Sequence, residues 1–170
     1  MTYETDQEWE TSWIPHVLPL ISAKHLLEKA PIEKDQKEVA DIMPLMMLRN
    51  VRIGLRMRRP EFFDRYCGEI TFRAKRETGA KTEFAKILEG WGDLMFYGFA
   101  NPHWKSFRSV NRWTLISLHA VRRIVETHKP SLKTIDNRDG TSFHPIKIAD
   151  WKALDRKFVI DSNWEAHVHS

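Results

Sequence analysis

Apolar and mostly basic residues alternate along Val51-Arg52-Ile53-Gly54-Leu55-Arg56-Met57-Arg58, and this is the clearest pattern in the sequence. Successive side chains of a strand point to opposite faces, so this period of two predicts a β-strand with one apolar and one basic face. Residues 68–75 repeat the pattern, with Ile70 and Phe72 on one face and Arg73 and Lys75 on the other. The sequence therefore predicts two consecutive, neighbouring strands that each carry a basic row.

The segments around these strands predict a mixed sheet flanked by helices. Phe84, Ile87 and Trp91 follow helical spacing in a predicted helix over residues 79–90. The continuous apolar run 94–99 is typical of a central strand. Periodicity predicts further helices over 5–29 and 120–128 and further strands over 39–48 and 113–118, and two short apolar pieces lie at 146–148 and 158–160. This order predicts an α/β or α+β domain around a mixed central β-sheet.

Length and composition favour one globular domain. A chain of 170 residues with 42% hydrophobic and 29% charged residues is typical of a globular protein and excludes a disordered or collagen-like one. Within a single domain 1–170, we expect an N-terminal helical region over 1–35 and a C-terminal extension over 131–170. No apolar run is long enough for a membrane span, the N-terminus does not resemble a signal peptide, and Cys67 is the single cysteine. We therefore expect a cytoplasmic protein without a membrane partner.

The basic rows are the first candidate for a binding surface. Residues 49–59 contain five arginines and no carboxylate, in a chain whose net charge is +4. Guanidinium groups bind phosphate through paired hydrogen bonds, so we interpret the rows as a nucleic-acid surface. The alternative is an ordinary solvated face. The candidate phosphate-binding residues are Arg52, Arg56, Arg73 and Lys75.

Two carboxylates and a lysine are the candidates for catalysis. Asp41 lies in the predicted strand before the arginine rows, and Glu83 and Lys86 lie on the helix after them. In a layer of sheet and helix these positions can converge, and two carboxylates at one point bind Mg²⁺ or Mn²⁺. The alternative is a capping aspartate and a Glu-Lys pair on the helix surface, which contributes tenths of a kcal/mol.

Several short segments of the sequence resemble those of a known family. They are residues 52–58 (RIGLRMR), 69–73 (EITFR), 79–87 (GAKTEFAKI), 90–98 (GWGDLMFYG) and 113–118 (WTLISL). In their order and in their residues these segments resemble small phage-encoded proteins of the PD-(D/E)XK nuclease-like superfamily. The resemblance implies a restriction-endonuclease-like fold and a DNA-cutting activity that uses a metal ion held by an aspartate and a Glu-x-Lys motif.

The motif of that family is only partly present. Asp41 resembles the family aspartate, whereas Arg56-Met57-Arg58 stands where Glu-x-Lys is expected. In some members the second carboxylate lies on the following helix, and the resemblance then implies Glu83 as a metal ligand. Lys86 or Arg58 would replace the motif lysine.

Two functions stay open at this point. The first is a metal-dependent DNA phosphodiesterase with Asp41, Glu83, Lys86 and Arg58 in the site and Mg²⁺ or Mn²⁺ as cofactor. The second is a nuclease-fold protein without activity that binds nucleic acid or a host protein, as a phage inhibitor or adaptor would in the host cytoplasm. A homodimer is compatible with either function.

Overall fold

A computed structural model describes residues 8–21, 27–29, 45–48, 51–76 and 79–164. Within these ranges there are nine strands and four α-helices longer than one turn. The strands are β1 (Leu27–Lys29), β2 (Leu45–Leu48), β3 (Val51–Arg58), β4 (Glu69–Lys75), β5 (Leu94–Ala100), β6 (Val110–Ser117), β7 (Ile135–Asp136), β8 (Ser142–Lys147) and β9 (Val159–Ser162). The helices are α1 (Ile14–Ile21), α2 (Glu83–Leu88), α3 (Leu118–His128) and α4 (Ile148–Leu154). Two short 3-10 turns, Pro60–Phe62 and Asp64–Tyr66, join β3 to β4.

The main sheet has six strands in the order β1-β2-β3-β5-β6-β9. Strands β3 and β5 run parallel, and every other described pair in this sheet is antiparallel. The prediction of a mixed sheet with helices is therefore confirmed. The apolar run at 94–99 lies between β3 and β6, in the central place predicted for it.

Each face of the main sheet is covered. On one face, Ile53, Leu55 and Met57 of β3 pack with Trp13 and Val17, which belong to α1 and the turn before it. On the opposite face, Met95, Tyr97 and Phe99 of β5 pack with apolar residues of the other three helices. Since β3 alternates, its arginine row points to this second face.

The second sheet is small and antiparallel, in the order β4-β8-β7. It lies against the second face of the main sheet, where the Thr71 hydroxyl is 3.1 Å from the Tyr97 hydroxyl. The prediction that residues 51–58 and 68–75 form neighbouring strands is wrong, since β3 and β4 belong to different sheets. Alternation identifies a strand but carries no information about which strand it pairs with.

Other predicted segments differ in extent from the structure. The predicted helix 5–29 contains a helical turn over 8–11, then α1, and then strand β1. The part of the predicted strand 39–48 that precedes Leu45 lies outside the described residues. The C-terminal region contributes β8 to the small sheet, β9 to the main sheet and helix α4, which periodicity did not reveal. In the described ranges no helix has the length and apolar character needed to cross a membrane.

Candidate functional site

Helix α2 brings two of the predicted site residues into the space between the sheets. Thr82 begins the helix as its N-cap, because its hydroxyl accepts a hydrogen bond from the Ala85 amide at 3.2 Å. Glu83 and Lys86 are three residues apart, so they lie on one side of the helix. Both are buried, as are Phe84 and Ile87 beside them. The interpretation of Glu83 and Lys86 as an exposed surface pair is therefore wrong.

The Glu83 carboxylate joins three elements through one oxygen. Its Oε2 accepts a hydrogen bond from Arg56 Nη2 at 2.8 Å and another from the backbone amide of Arg73 at 3.0 Å. The residue is only 4% exposed, so both bonds are shielded from water. Its other oxygen, Oε1, is buried without a hydrogen-bond partner in the described part of the chain. Glu83 thus connects α2 to β3 and β4.

Arg56 is shared between two carboxylates. In addition to the bond with Glu83, its Nη1 lies 3.7 Å from Oε1 of Glu10, a buried residue of the 8–11 turn. Burial opposes the charge of the guanidinium, but the attraction of Glu83 and then of Glu10 is stronger, and the pKa of Arg56 is raised. The basic row was predicted to lack matching carboxylates. At Arg56 the structure corrects this, because both carboxylates come from other parts of the chain.

Lys86 is the second buried charge on the inner side of α2. Its Nζ has no hydrogen-bond partner among the described residues. Burial lowers the pKa of Lys86, and the positive charge of Arg76 lowers it further, while the attraction of Glu83 opposes both effects. An ammonium group held in this way attracts an anion that can reach it.

The other predicted residues lie in different surroundings. The Arg58 guanidinium lies 5.1 Å from the ring centre of Phe62, and no ion pair links it to Glu83 in the described contacts. Arg52 pairs with Asp93 at 3.4 Å, and its side chain is partly exposed. Arg73 is half-buried and Lys75 is exposed at the end of β4. Asp41 lies outside the described residues.

A second polar cluster lies at the start of α3 and contains two residues, Asp93 and His119, that are not among the predicted site residues. Asp93 Oδ2 accepts from the Arg52 amide at 2.8 Å, and its Oδ1 is 3.1 Å from His119 Nε2. His119 Nδ1 is in turn 3.0 Å from Arg122 Nη2, and Arg122 also donates to the carbonyl of Ile87 at 2.9 Å. The cluster ties together the loop before β5 and both neighbouring helices.

Carboxylate, histidine and cysteine side chains do not gather at one place in the described ranges. No group of three or more His, Cys, Asp or Glu side chains that could hold a metal ion occurs within the described ranges. Glu83 offers one unpaired oxygen, and its other oxygen already accepts from a guanidinium and an amide. These residues on their own do not form a site for Mg²⁺, which requires several oxygen ligands in octahedral geometry.

Comparison of the chain with protein-family models, with curated proteins and with solved structures found no match.

Proposed function

We propose that this protein has a restriction-endonuclease-like fold and binds nucleic acid, specifically DNA. In this proposal Glu83, the second carboxylate that the resemblance implies, has a structural role. The fold proposal is supported by the mixed sheet, its central parallel pair and helices on both faces. The resemblance of the sequence segments to the PD-(D/E)XK nuclease-like superfamily is the reason for proposing this fold in particular.

The pairing of Glu83 with Arg56 is the observation that carries this proposal. A carboxylate that binds a catalytic metal keeps oxygen lone pairs directed at the ion and is not neutralised by a guanidinium. Here the guanidinium is 2.8 Å away, so the negative charge of Glu83 is already compensated, and Glu10 adds a second carboxylate on the other side of Arg56. The arrangement stabilises the contact between α2 and the two sheets without a metal ion.

Binding to nucleic acid is supported by the cations that remain outside that cluster. Lysines and arginines outnumber acidic residues by 27 to 23 over the chain. Exposed cations in the described ranges include Arg65, Lys75, Lys105 and Arg108. Since phosphates attract such groups over distances of about 10 Å at moderate salt, the surface favours a polyanion as partner.

Binding and cleavage measured on the same samples test the proposal. Fluorescence anisotropy of labelled duplex and single-stranded DNA, repeated at several salt concentrations, should show binding that weakens as salt rises. The same DNA incubated with Mg²⁺, Mn²⁺ or EDTA should stay intact. Absence of binding at low salt would overturn the proposal and direct attention to a host protein as partner.

Metal-dependent phosphodiesterase activity is the second candidate, and one observation favours it. Glu83 Oε1 and Lys86 Nζ are both buried and both lack a hydrogen-bond partner in the described structure. In this alternative, Asp41 and Glu83 would hold Mg²⁺, which supplies Lewis-acid chemistry, and Lys86 would stabilise negative charge on the phosphate. Metal-dependent cutting that is lost in both Asp41→Ala and Glu83→Ala would establish this candidate in place of the first.

A further inference from the structure

The loop between β5 and β6, residues 101–109, presents an aromatic ring to solvent. Phe107 is 68% exposed, which is more than any other large hydrophobic side chain in the described ranges. Single exposed apolar residues are common, so exposure alone indicates little. Two further features of the loop indicate a binding role for this ring: its fixed conformation and its positive charge.

The loop is held in one conformation by its own hydrogen bonds. Asn101 Oδ1 accepts from the His103 amide at 2.7 Å, and the Phe107 amide donates to the His103 carbonyl at 2.9 Å. At its base, Asn101 donates from its amide to the Ser109 carbonyl at 2.9 Å and from Nδ2 to the Ser109 hydroxyl at 3.1 Å. Phe107 is therefore exposed on a loop whose conformation is fixed.

The loop 101–109 is also held against the N-terminal segment. The ring of Trp104 packs edge-on against Trp9 with their centres 4.7 Å apart. Arg108 donates from Nη1 to the Ser12 carbonyl at 3.3 Å, and its guanidinium is 5.8 Å from the ring centre of Trp13. These contacts orient the loop before any partner binds. Binding at Phe107 would therefore cost little conformational entropy in the loop.

The charge of the loop identifies the kind of partner. Residues 101–109 contain Lys105, Arg108 and His103 and no Asp or Glu. Arg59 adds a further cation next to the loop, because its guanidinium lies 5.3 Å from the ring centre of Trp9. An exposed ring flanked in sequence by Lys105 and Arg108 matches a nucleic-acid strand, in which flat bases alternate with phosphates.

We propose that the loop 101–109 binds single-stranded nucleic acid, with Phe107 stacked on an unpaired base and Lys105 near a phosphate. The inference rests on the proposed function and deepens it by naming the strandedness of the ligand and the contact surface. A duplex offers its phosphates to the lysine but hides the faces of its bases, so stacking on Phe107 requires a single strand.

Anisotropy titrations of a labelled oligothymidylate and of a matched duplex test this inference. Phe107→Ala should weaken binding of the single strand by about 5- to 150-fold, the effect of losing one stacked base, and should change duplex binding little. Phe107→Tyr should retain the wild-type affinity. Ile160→Ala, at a residue 52% exposed on β9, is the matched control and should bind as the wild type does. Lys105→Ala should reduce the salt slope for the single strand by about 0.7.

Two results would overturn the inference, and a vesicle assay shows whether the first of them reflects a membrane contact. If the wild type binds DNA but Phe107→Ala binds the single strand equally well, the inference fails and the proposed function stands. If the wild type binds neither form of DNA, both fail. If Phe107→Ala instead abolishes binding to phosphatidylserine vesicles and leaves DNA binding unchanged, the loop contacts a membrane surface.

Discussion

Glu83→Gln is the substitution that decides what the buried carboxylate does. Glutamine has the same shape as glutamate and its amide oxygen can still accept the hydrogen bond from the Arg73 amide. The substitution therefore removes mainly the charge that faces Arg56 at 2.8 Å. Its effect on the free energy of unfolding, measured without metal ions, reports whether that charge stabilises the fold.

The size of the effect follows from the burial of the pair. Removing one partner of a buried ion pair destabilises a protein by about 3–5 kcal/mol, because the other charge stays buried without compensation. Glu10, whose Oε1 is 3.7 Å from Arg56 Nη1, still compensates part of the guanidinium charge. We therefore expect about 3 kcal/mol, which in a chain of this length lowers the melting temperature by roughly 6–12 °C.

Urea denaturation in EDTA, followed by circular dichroism, measures this change. Arg56→Met should cost at least as much as Glu83→Gln, because it removes the cation from both Glu83 and Glu10. The double variant should cost less than the sum of the two single variants, as expected for groups in direct contact. Lys81→Gln is a matched control, since Lys81 pairs with Glu89 on the surface at 2.8 Å and such pairs contribute at most about 1 kcal/mol.

A reversed sign would refute this explanation. A carboxylate kept in place for a metal ion is under-compensated when the metal is absent, so neutralising it stabilises the metal-free protein. If Glu83→Gln raises the free energy of unfolding in EDTA, Glu83 is held for a ligand and the metal-dependent candidate gains support. A cost equal to that of Lys81→Gln would show that the pair contributes no more than a surface contact.

Three further outcomes are expected. Burial opposes the charge of Asp93, but hydrogen bonds from Arg52 lower the pKa of Asp93. Its contribution to stability is present above the unfolded value of about 3.9 and is lost as the pH falls through the folded value. Urea denaturation should therefore show the wild type losing more stability below about pH 4 than Asp93→Asn, and equal losses would contradict this. Lys86→Met should raise the free energy of unfolding at pH 7 by about 1–3 kcal/mol, since it replaces a buried, unpaired ammonium, and a thermal melt that shows destabilisation would argue against it. Trp9→Phe should cost about 1 kcal/mol in the same melt, because Trp9 Nε1 donates to the Met57 carbonyl at 3.0 Å; an unchanged melting temperature would show that this bond is dispensable.

The strands were the most predictable part of this fold. Alternation over residues 51–58 gave β3 with the bounds that the structure has, and the apolar run at 94–99 identified the central strand. Both signals are local, since they depend on which face each side chain takes. Pairing is not local, and for this reason the separation of β3 and β4 into two sheets could not be predicted from their similar patterns.

The candidate site was predictable in its residues but not in its chemistry. Glu83 and Lys86 were identified from their place on the helix, and the structure buries both of them between the sheets. The partner of Glu83 is Arg56, which is 27 residues away in sequence and was interpreted as a phosphate-binding residue. A polar strand face is compatible with either solvent or a ligand, and only the folded chain shows that Glu83 and Glu10 lie against Arg56.

The amide hydrogen of Arg73 becomes a reporter for the buried carboxylate, because it donates to the same oxygen of Glu83 that accepts from Arg56. Exchange of this hydrogen with deuterated solvent requires that the amide separate from that oxygen. A ligand that draws Glu83 away must therefore speed the exchange, whereas one that binds only at the surface leaves it slow. Deuterium uptake at this single backbone position would thus show whether anything bound to the protein reaches its interior.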